Sequence, residues 1–190
     1  MIRFAALSIL AVYYAAFLLK MFLQRRKGIS TSQMGKGNKP KATRRTERQL
    51  GIAFAIIIPV ELICVLLVHP WHNAAGWIGI ALAAMGVVVF LLAIVTMRDS
   101  WRAGIPAEDT TSLITDGIYQ ISRNPAFLGF DLIYLGLLVA FFHPIHLIAV
   151  LYTMTALHLQ ILQEEKFLAS TFGEPYLRYR AKTARYLGRH

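Results

Sequence analysis

Four long apolar tracts constrain this chain more than any other feature of its sequence. They cover residues 4–23, 50–69, 74–97 and 126–162. About 20 apolar residues in a helix cross the roughly 30 Å of hydrocarbon in a bilayer, so each of the first three tracts suits one crossing. A soluble globule of 190 residues is too small to hide all four tracts. The apolar fraction of 56% also excludes an intrinsically disordered chain.

The last tract is too long for a single span and is interrupted at His143-Pro144. A turn there predicts helices at about 126–142 and 145–163. Gly129 and Gly136 share a face of the first of these helices, which we expect to let the second approach closely. The sequence therefore predicts an all-α integral membrane protein, with residues 1–190 as one domain. It has five transmembrane helices, the last two forming a hairpin, with a cytoplasmic cofactor-binding loop and C-terminal segment.

The distribution of positive charge predicts the orientation of these spans. The net charge is +10, and nine Lys and Arg residues lie in the segment 24–48 alone. Further cations lie in 98–125 and in the tail from 164, whereas the connectors 70–73 and 143–144 carry none. By the positive-inside rule the basic segments are cytoplasmic. This places the N-terminus outside and the C-terminus inside.

Several other functions are disfavoured by the sequence. The first tract follows Arg3, as in a signal peptide, but it ends at the basic cluster Arg25-Arg26-Lys27, as in a stop-transfer segment. No glycine-rich nucleotide motif is present, and the single cysteine, Cys64, excludes an intrachain disulfide. The basic loop needs no nucleic acid to explain it, so we expect no nucleic-acid partner. The scattered histidines are expected at the membrane interface, and no metal is predicted.

Some polar side chains fall inside the predicted spans, where they are costly and often functional. Glu61 lies two residues after Pro59 in the second span, and Asp131 lies one turn into the fourth. Glu61 is expected either to pair with a cation of a neighbouring helix or to belong to a site. His158 and Gln160 precede the end of the last apolar tract. They therefore look like the lining of a cavity.

Three sequence blocks resemble a known family. Residues 113–129 read LITDGIYQISRNPAFLG, residues 164–179 read EEKFLASTFGEPYLRY, and residues 100–105 read SWRAGI. The first two resemble the cofactor signature of the isoprenylcysteine carboxyl methyltransferases and related membrane phospholipid methyltransferases. The third resembles a block found in many prokaryotic members. The resemblance spans residues 98–186, about half of the chain.

This resemblance implies a methyltransferase that uses S-adenosylmethionine on a lipophilic or amphipathic acceptor at the membrane. By motif position, Glu164 would neutralise the ammonium of the cofactor, and Tyr119 and Phe127 would offer aromatic faces to its adenine or sulfonium. The implied cofactor-binding residues are Thr111, Ser112, Leu113, Ile114, Tyr119, Asn124, Pro125, Ala126, Phe127 and Glu164.

Four residues are predicted to act on the acceptor or on the loop. Arg123 either pairs with the cofactor carboxylate or stabilises the fold of its loop. His158 and Glu165 are the possible general bases for a neutral acceptor. Gln160 stands where the prenylcysteine enzymes place a substrate-binding Arg, and Asn124 stands where the family often has His.

The sequence leaves the acceptor open among prenylcysteine, an isoprenoid acid, a phospholipid amine and a small thiol. Prenylated molecules or lipids are the expected substrates, and membrane lipids surround the protein. Two other functions stay open on the sequence alone. One is an NADPH-dependent membrane reductase of the sterol-reductase type, and the other is a non-enzymatic membrane scaffold.

Overall fold

The computed structural model describes residues 1–105 and 112–188. Its helices are α1 (Ile2–Arg26), α2 (Lys41–Leu67), α3 (Ala74–Met97), α4 (Pro125–Ala140), α5 (Pro144–Phe172) and α6 (Glu174–Lys182). Two short 3₁₀ helices cover Arg98–Ser100 and Gly117–Gln120. The described residues contain no strand, and an isolated bridge of β type joins Ser32 to Ala103. The all-α class is confirmed.

Four helices are long and apolar enough to cross a membrane: α1, α2, α3 with its short 3₁₀ extension, and α5. The predicted fourth span, α4, has 16 residues and is therefore about 24 Å long. That is less than the roughly 30 Å of the hydrocarbon core. The apolar tract continues past this helix, but Phe141 and Phe142 lie in the turn that follows Ala140. Most of α4 is buried inside the bundle.

Prolines and capping side chains fix where the helices begin. Pro125 and Pro144 each occupy the first turn of a helix, where the missing N–H is not needed. The predicted hairpin at His143-Pro144 is confirmed, and His143 Nδ1 accepts from the N–H of Ile145 (3.3 Å). Asn73 Oδ1 caps α3 by accepting from the N–H of Ala75 (3.1 Å).

Two helices extend beyond the predicted spans, and one was not predicted. α2 begins at Lys41 and α5 continues to Phe172, because hydropathy marks only the part of a helix that suits hydrocarbon. The polar ends continue into the loop layer with their backbone hydrogen bonds intact. The short polar helix α6 was missed because its sequence has no apolar tract.

The closest helix contact joins α3 to α4 through glycines. A Cβ placed on Gly79 would lie 2.5 Å from the carbonyl oxygen of Gly136, and one on Gly86 would lie 2.7 Å from that of Gly129. The two backbones therefore touch, as small residues allow in membrane helices. The expectation that Gly129 and Gly136 receive α5 is wrong: they receive α3, and α5 packs mainly on α2.

The two ends of the bundle differ in charge. At one end the N–H of Trp71 donates to the carbonyl of Ala140 (3.1 Å). The Arg3 guanidinium there donates to the carbonyls of Val65 (2.9 Å) and Val68 (3.0 Å), at the C-terminus of α2. The basic loops and the C-terminal segment meet at the opposite end. The short α4 thus connects the two ends of the bundle.

The glycine contact predicts a large difference between two glycine substitutions. Gly86→Val would place a side chain against the backbone of α4 and should cost about 3 kcal/mol, at the upper end of typical overpacking. Gly51 lies in α2, and no atom lies within 4 Å of the point that a Cβ would occupy there, so Gly51→Ala should stabilise by about 0.5–1 kcal/mol. Thermal unfolding in detergent would measure both. Equal melting temperatures would contradict the close α3–α4 approach.

Candidate active site

A buried ion pair holds two loops together at the basic end of the bundle. Glu47 accepts from Lys39 Nζ (2.6 Å) and from the N–H groups of Gly35 (2.8 Å) and Ile105 (3.2 Å). The side chains of Lys39 and Glu47 are only 3% and 1% exposed. Lys39, which the sequence assigned to a solvated basic loop, is therefore an internal partner. This pair positions the segment 101–105 over the helices.

The segment 101–105 also packs into the aromatic core. The ring of Trp101 lies edge-on to that of Phe17 (5.4 Å between centroids). Its carbonyl accepts from the buried side chain of Gln24 (3.0 Å), whose Oε1 accepts in turn from Thr31 (2.6 Å). Trp101 is thus fixed at the point where the loop layer meets the membrane-embedded helices.

A cavity opens beneath these loops, and we call it the cofactor cavity because most of the predicted cofactor residues line it. Predicted residues on its wall are Ser112, Leu113, Ile114, Tyr119, Arg123, Asn124, Ala126, Phe127 and Glu164. Pro125 is buried at the start of α4 and does not line the wall. Thr111 lies outside the described residues.

Two tyrosines close one side of this cofactor cavity. The hydroxyl of Tyr179 donates to the carbonyl of Tyr119 (2.6 Å), which joins α6 to the 3₁₀ turn before α4. Burial raises the pKa of both phenols above its ordinary value. Both rings therefore stay neutral at physiological pH and provide uncharged aromatic surface.

Glu164 and Gln160 are joined on adjacent turns of α5. The side-chain amide of Gln160 donates to Glu164 Oε1 (3.0 Å). Gln160 is fully buried, and its Oε1 has no hydrogen-bond partner among the described residues. Glu164 faces the cofactor cavity. Gln160 faces a second, apolar cavity. The pair thus links the two spaces.

The apolar cavity runs into the helical bundle and has a volume of about 440 Å³. Aromatic rings make up much of its wall: Tyr13, Tyr14, Phe17, Phe54, Trp101, Phe127, Phe130 and Tyr134. Both cavities share Trp101, Arg102, Gly104, Ala126, Phe127 and Glu164. The volume and composition are typical of a small-molecule site. A cavity with polar side chains in its wall and a largely apolar one thus meet along a common wall.

Glu165 points away from both cavities and holds the C-terminal segment. It accepts from Arg123 Nη2 (2.9 Å) and from Arg185 Nε (3.0 Å) and Nη2 (2.9 Å). Asn124 Nδ2 donates to Glu165 Oε1 (3.4 Å) and to the carbonyl of Arg185 (3.1 Å). The Glu165 carboxylate raises the pKa of the Arg185 guanidinium further above its ordinary value. We call this group of four residues the carboxylate clamp.

Arg123 forms several hydrogen bonds that stabilise the fold of its loop. Besides Glu165, its Nη1 donates to the carbonyls of Arg180 (2.9 Å) and Thr183 (3.1 Å). Its backbone N–H donates to the carbonyl of Ala184 (3.0 Å). The guanidinium therefore fastens the C-terminal segment beneath the start of α4, while part of the residue still lines the cofactor cavity.

His158 and Glu165, the predicted general bases, line neither cavity. His158 Nδ1 hydrogen-bonds the hydroxyl of Tyr186 (2.6 Å), and the two rings stack with centroids 6.0 Å apart. The structure therefore brings Arg123 and Gln160 to the two cavities. It places His158 and Glu165 against the C-terminal segment instead.

Sequence reasoning missed part of the cofactor wall. The additional residues are Met97, Ser100, Trp101, Arg102, Gly104, Ile105, Phe167, Leu168 and Tyr179. Most of them belong to the blocks 100–105 and 164–179, so the signal was present. Arg185 was missed because it follows both blocks and has no motif of its own. The apolar cavity includes residues of α1 and α2, where no motif was recognised.

Two contiguous cavities, one lined by several polar side chains and one largely apolar, lie at one end of an apolar helical bundle. These features suit a membrane enzyme that brings a polar and a lipophilic molecule together. Residues 77–170 match the isoprenylcysteine carboxyl methyltransferase family. Protein-S-isoprenylcysteine O-methyltransferase B of Arabidopsis thaliana is 31% identical over 134 residues, which are 67% of this chain and 68% of that protein.

The matches to two further relatives cover a smaller share of those proteins. A probable protein-S-isoprenylcysteine O-methyltransferase of Oryza sativa subsp. indica is 32% identical over 110 residues, 56% of this chain and 58% of that protein. Protein-S-isoprenylcysteine O-methyltransferase of Xenopus laevis is 26% identical over 129 residues, 65% of this chain and 45% of that protein. The chain belongs to the isoprenylcysteine carboxyl methyltransferase family, and it is a methyltransferase of the membrane. Membership implies S-adenosylmethionine as the methyl donor.

The carboxylate clamp predicts that Arg185 holds the C-terminal segment in place. Arg185→Ala removes two charge-assisted hydrogen bonds to Glu165 and should cost about 2 kcal/mol. It should also accelerate chymotrypsin cleavage after Tyr186. Arg178→Ala, on the exposed face of α6, is the matched control and should change neither the melting temperature nor the cleavage rate. Equal cleavage rates in the two variants would contradict this role for the clamp.

Proposed function

We propose that the cofactor cavity binds S-adenosylmethionine and that the apolar cavity holds the lipophilic tail of the methyl acceptor. The observation that carries this proposal is the common wall formed by Ala126, Phe127 and Glu164. A methyl donor and its acceptor must meet within a few ångströms, and two contiguous cavities provide that meeting point. The reacting groups would then lie beside these three residues.

The residues of the cofactor cavity fit the parts of S-adenosylmethionine. Glu164 offers an anionic group to the ammonium, and the side chain that hydrogen-bonds it is the neutral amide of Gln160. Tyr119 and Phe127 present aromatic faces to the adenine or the sulfonium. Residues 112–114 line the same wall, and their backbone groups would meet the edge of the adenine. When bound, the cofactor supplies a methyl group already activated by its sulfonium.

We propose a carboxylate on an isoprenoid-like thioether as the acceptor, as the names of the relatives suggest for those proteins. The aromatic lining of the apolar cavity suits a branched, unsaturated tail. Gln160 replaces the Arg of the prenylcysteine enzymes, so a positive charge must come from elsewhere. Arg102 lies on the common wall, and we assign it to attract the acceptor carboxylate towards the methyl donor.

The protein's contribution to this reaction is alignment. A carboxylate is nucleophilic as it stands, so its methylation needs no general base. This agrees with His158 and Glu165 being occupied by Tyr186 and the two arginines of the clamp. The Gln160–Glu164 hydrogen bond fixes a side chain of the acceptor cavity relative to a side chain of the cofactor cavity. Orientation of this kind contributes up to about 7–11 kcal/mol in well-aligned systems.

Glu164→Gln tests the cofactor assignment directly. The substitution keeps the shape but removes the charge opposite the ammonium, which in a shielded site costs on the order of 2–5 kcal/mol. Affinity for S-adenosylhomocysteine, measured by calorimetric titration in detergent, should fall roughly 30-fold or more. Glu174→Gln makes the same chemical change at an exposed position of α6 and should leave the affinity unchanged.

Two results would count against the assignment. Equal affinities in the wild type and Glu164→Gln would remove Glu164 from the cofactor site. A melting temperature raised by NADPH and not by S-adenosylhomocysteine would favour the reductase alternative instead.

We propose five membrane-crossing helices, with α4 as a short crossing shielded by its neighbours. The N-terminus would face outside and the C-terminus and both cavity mouths would face the cytoplasm. Support comes from the sidedness of the bundle, since the loops that carry most of the 20 Lys and Arg residues lie at one end. The weakly charged connectors lie together at the other end.

Cysteine labelling in intact cells checks this orientation. In a Cys64→Ala background, Ser170→Cys should resist an impermeant thiol reagent, whereas His72→Cys should react. Both positions are exposed in the structure, so accessibility differs only through the membrane. Lysis should make the two positions react equally. Rapid labelling at Ser170 before lysis would reverse the proposed orientation.

A further inference from the structure

Glu61 is a buried carboxyl group without a partner in the middle of the membrane-spanning part of α2. The residue is 1% exposed, and neither carboxylate oxygen has a hydrogen-bond partner among the described residues. The cation from a neighbouring helix that the sequence allowed is not present as a hydrogen-bonding partner within that part of the chain. Buried polar groups are normally satisfied, and carboxyl groups at this depth are costly. We therefore expect a bound ligand to provide the hydrogen bond that this carboxyl group lacks.

A cavity of about 380 Å³ lies beside this carboxyl, between α1 and α2. Its wall is apolar apart from Glu61 and Tyr14: Leu7, Leu10, Ala11, Tyr14, Ile58, Glu61 and Leu62. Tyr14 and Ile58 also line the large apolar cavity. The two spaces are therefore neighbours that share a wall, with Glu61 one helical turn beyond Ile58.

The shared wall lies at the far end of the proposed acceptor cavity. Ala126 marks the cofactor end and Tyr134 lines the same cavity eight residues along α4, a distance of about 12 Å. Tyr14 lines the same cavity as Glu61, and Tyr13 and Tyr134 line the neighbouring acceptor cavity. A carboxyl and three phenols thus lie on or beside the wall where a hydrocarbon tail would end.

A purely hydrocarbon tail would offer these groups no hydrogen bond. Asp131 provides an internal comparison, since its Oδ1 also has no partner among the described residues. Asp131 lines neither the acceptor cavity nor the cavity beside Glu61. Glu61 differs because it lines a space that borders the acceptor cavity at Tyr14 and Ile58.

We propose that Glu61 hydrogen-bonds a hydroxyl group at the far end of the acceptor's apolar tail, with Tyr14 beside it. A hydroxyl both donates and accepts, so it satisfies the carboxyl in either protonation state. The acceptor class is then an amphiphile with a carboxylate at one end and a hydroxyl at the other. This inference rests on the proposed function, because it takes the large apolar cavity as the acceptor site.

Two matched probes test the inference in the full-length protein: N-acetyl-S-dodecyl-cysteine and its counterpart with a hydroxyl on the terminal carbon of the chain. Affinities are measured by calorimetry in detergent with S-adenosylhomocysteine present. The wild type should bind the hydroxylated probe at least as tightly as the parent. Glu61→Leu should bind the hydroxylated probe about tenfold more weakly than the probe without the hydroxyl, because the hydroxyl then has no partner.

Two variants distinguish recognition from a general effect of the substitution. Glu61→Gln keeps a hydrogen-bonding side chain and should restore the wild-type ratio of affinities. Asp131→Leu removes a buried carboxyl outside both cavities and should leave that ratio unchanged. If Glu61→Leu does not fold, the ratio in the wild type and in Glu61→Gln still decides the matter.

Each remaining outcome has one meaning. A wild type that binds the hydroxylated probe tenfold more weakly than the parent overturns the inference, as does an unchanged ratio in Glu61→Leu. In both cases binding of the parent probe leaves the proposed acceptor cavity intact. Failure of the wild type to bind either probe overturns the acceptor cavity and this inference together.

Discussion

The site depends on the carboxylate clamp, in which Glu165 holds Arg123 and Arg185 together. Through these bonds the C-terminal segment is fastened beneath the turn that leads into α4. A buried ion pair adds little net stability over an apolar equivalent, but removal of one partner leaves an uncompensated charge and is strongly destabilising. The clamp therefore specifies one arrangement of the cofactor wall, and Tyr119 and Asn124 take their positions from it.

The two adjacent glutamates on α5 point towards different parts of the protein because of helical geometry. Consecutive residues of a helix project about 100° apart, so Glu165 turns towards the clamp while Glu164 turns towards the cavities. The same geometry separates Gln160 from His158. The sequence placed all four near the site, and only the packing of α5 against its neighbours shows which of them line the cavities.

Most of the helical fold was predictable from the sequence because hydropathy and proline positions mark helices that lie in hydrocarbon. The start of α4 at Pro125 and the turn at His143-Pro144 followed from those signals. The helix that packs on the Gly129–Gly136 face could not be predicted, since glycine spacing indicates a close approach without showing which helix approaches. The cofactor wall was largely predictable from motifs. The clamp and the Lys39–Glu47 pair were not, because contacts between residues distant in the chain leave no local pattern.

The shortness of α4 has a consequence for how a lipophilic acceptor arrives. The helix is about 6 Å shorter than the hydrocarbon thickness, and its far end is fixed at the level of the connector by the Trp71–Ala140 hydrogen bond. In the proposed arrangement of five crossings, its first turn, which borders both cavities, therefore lies beneath the lipid headgroups. An acceptor can reach this depth by lateral diffusion within one leaflet, so its tail never has to leave the bilayer and the search for the enzyme is two-dimensional.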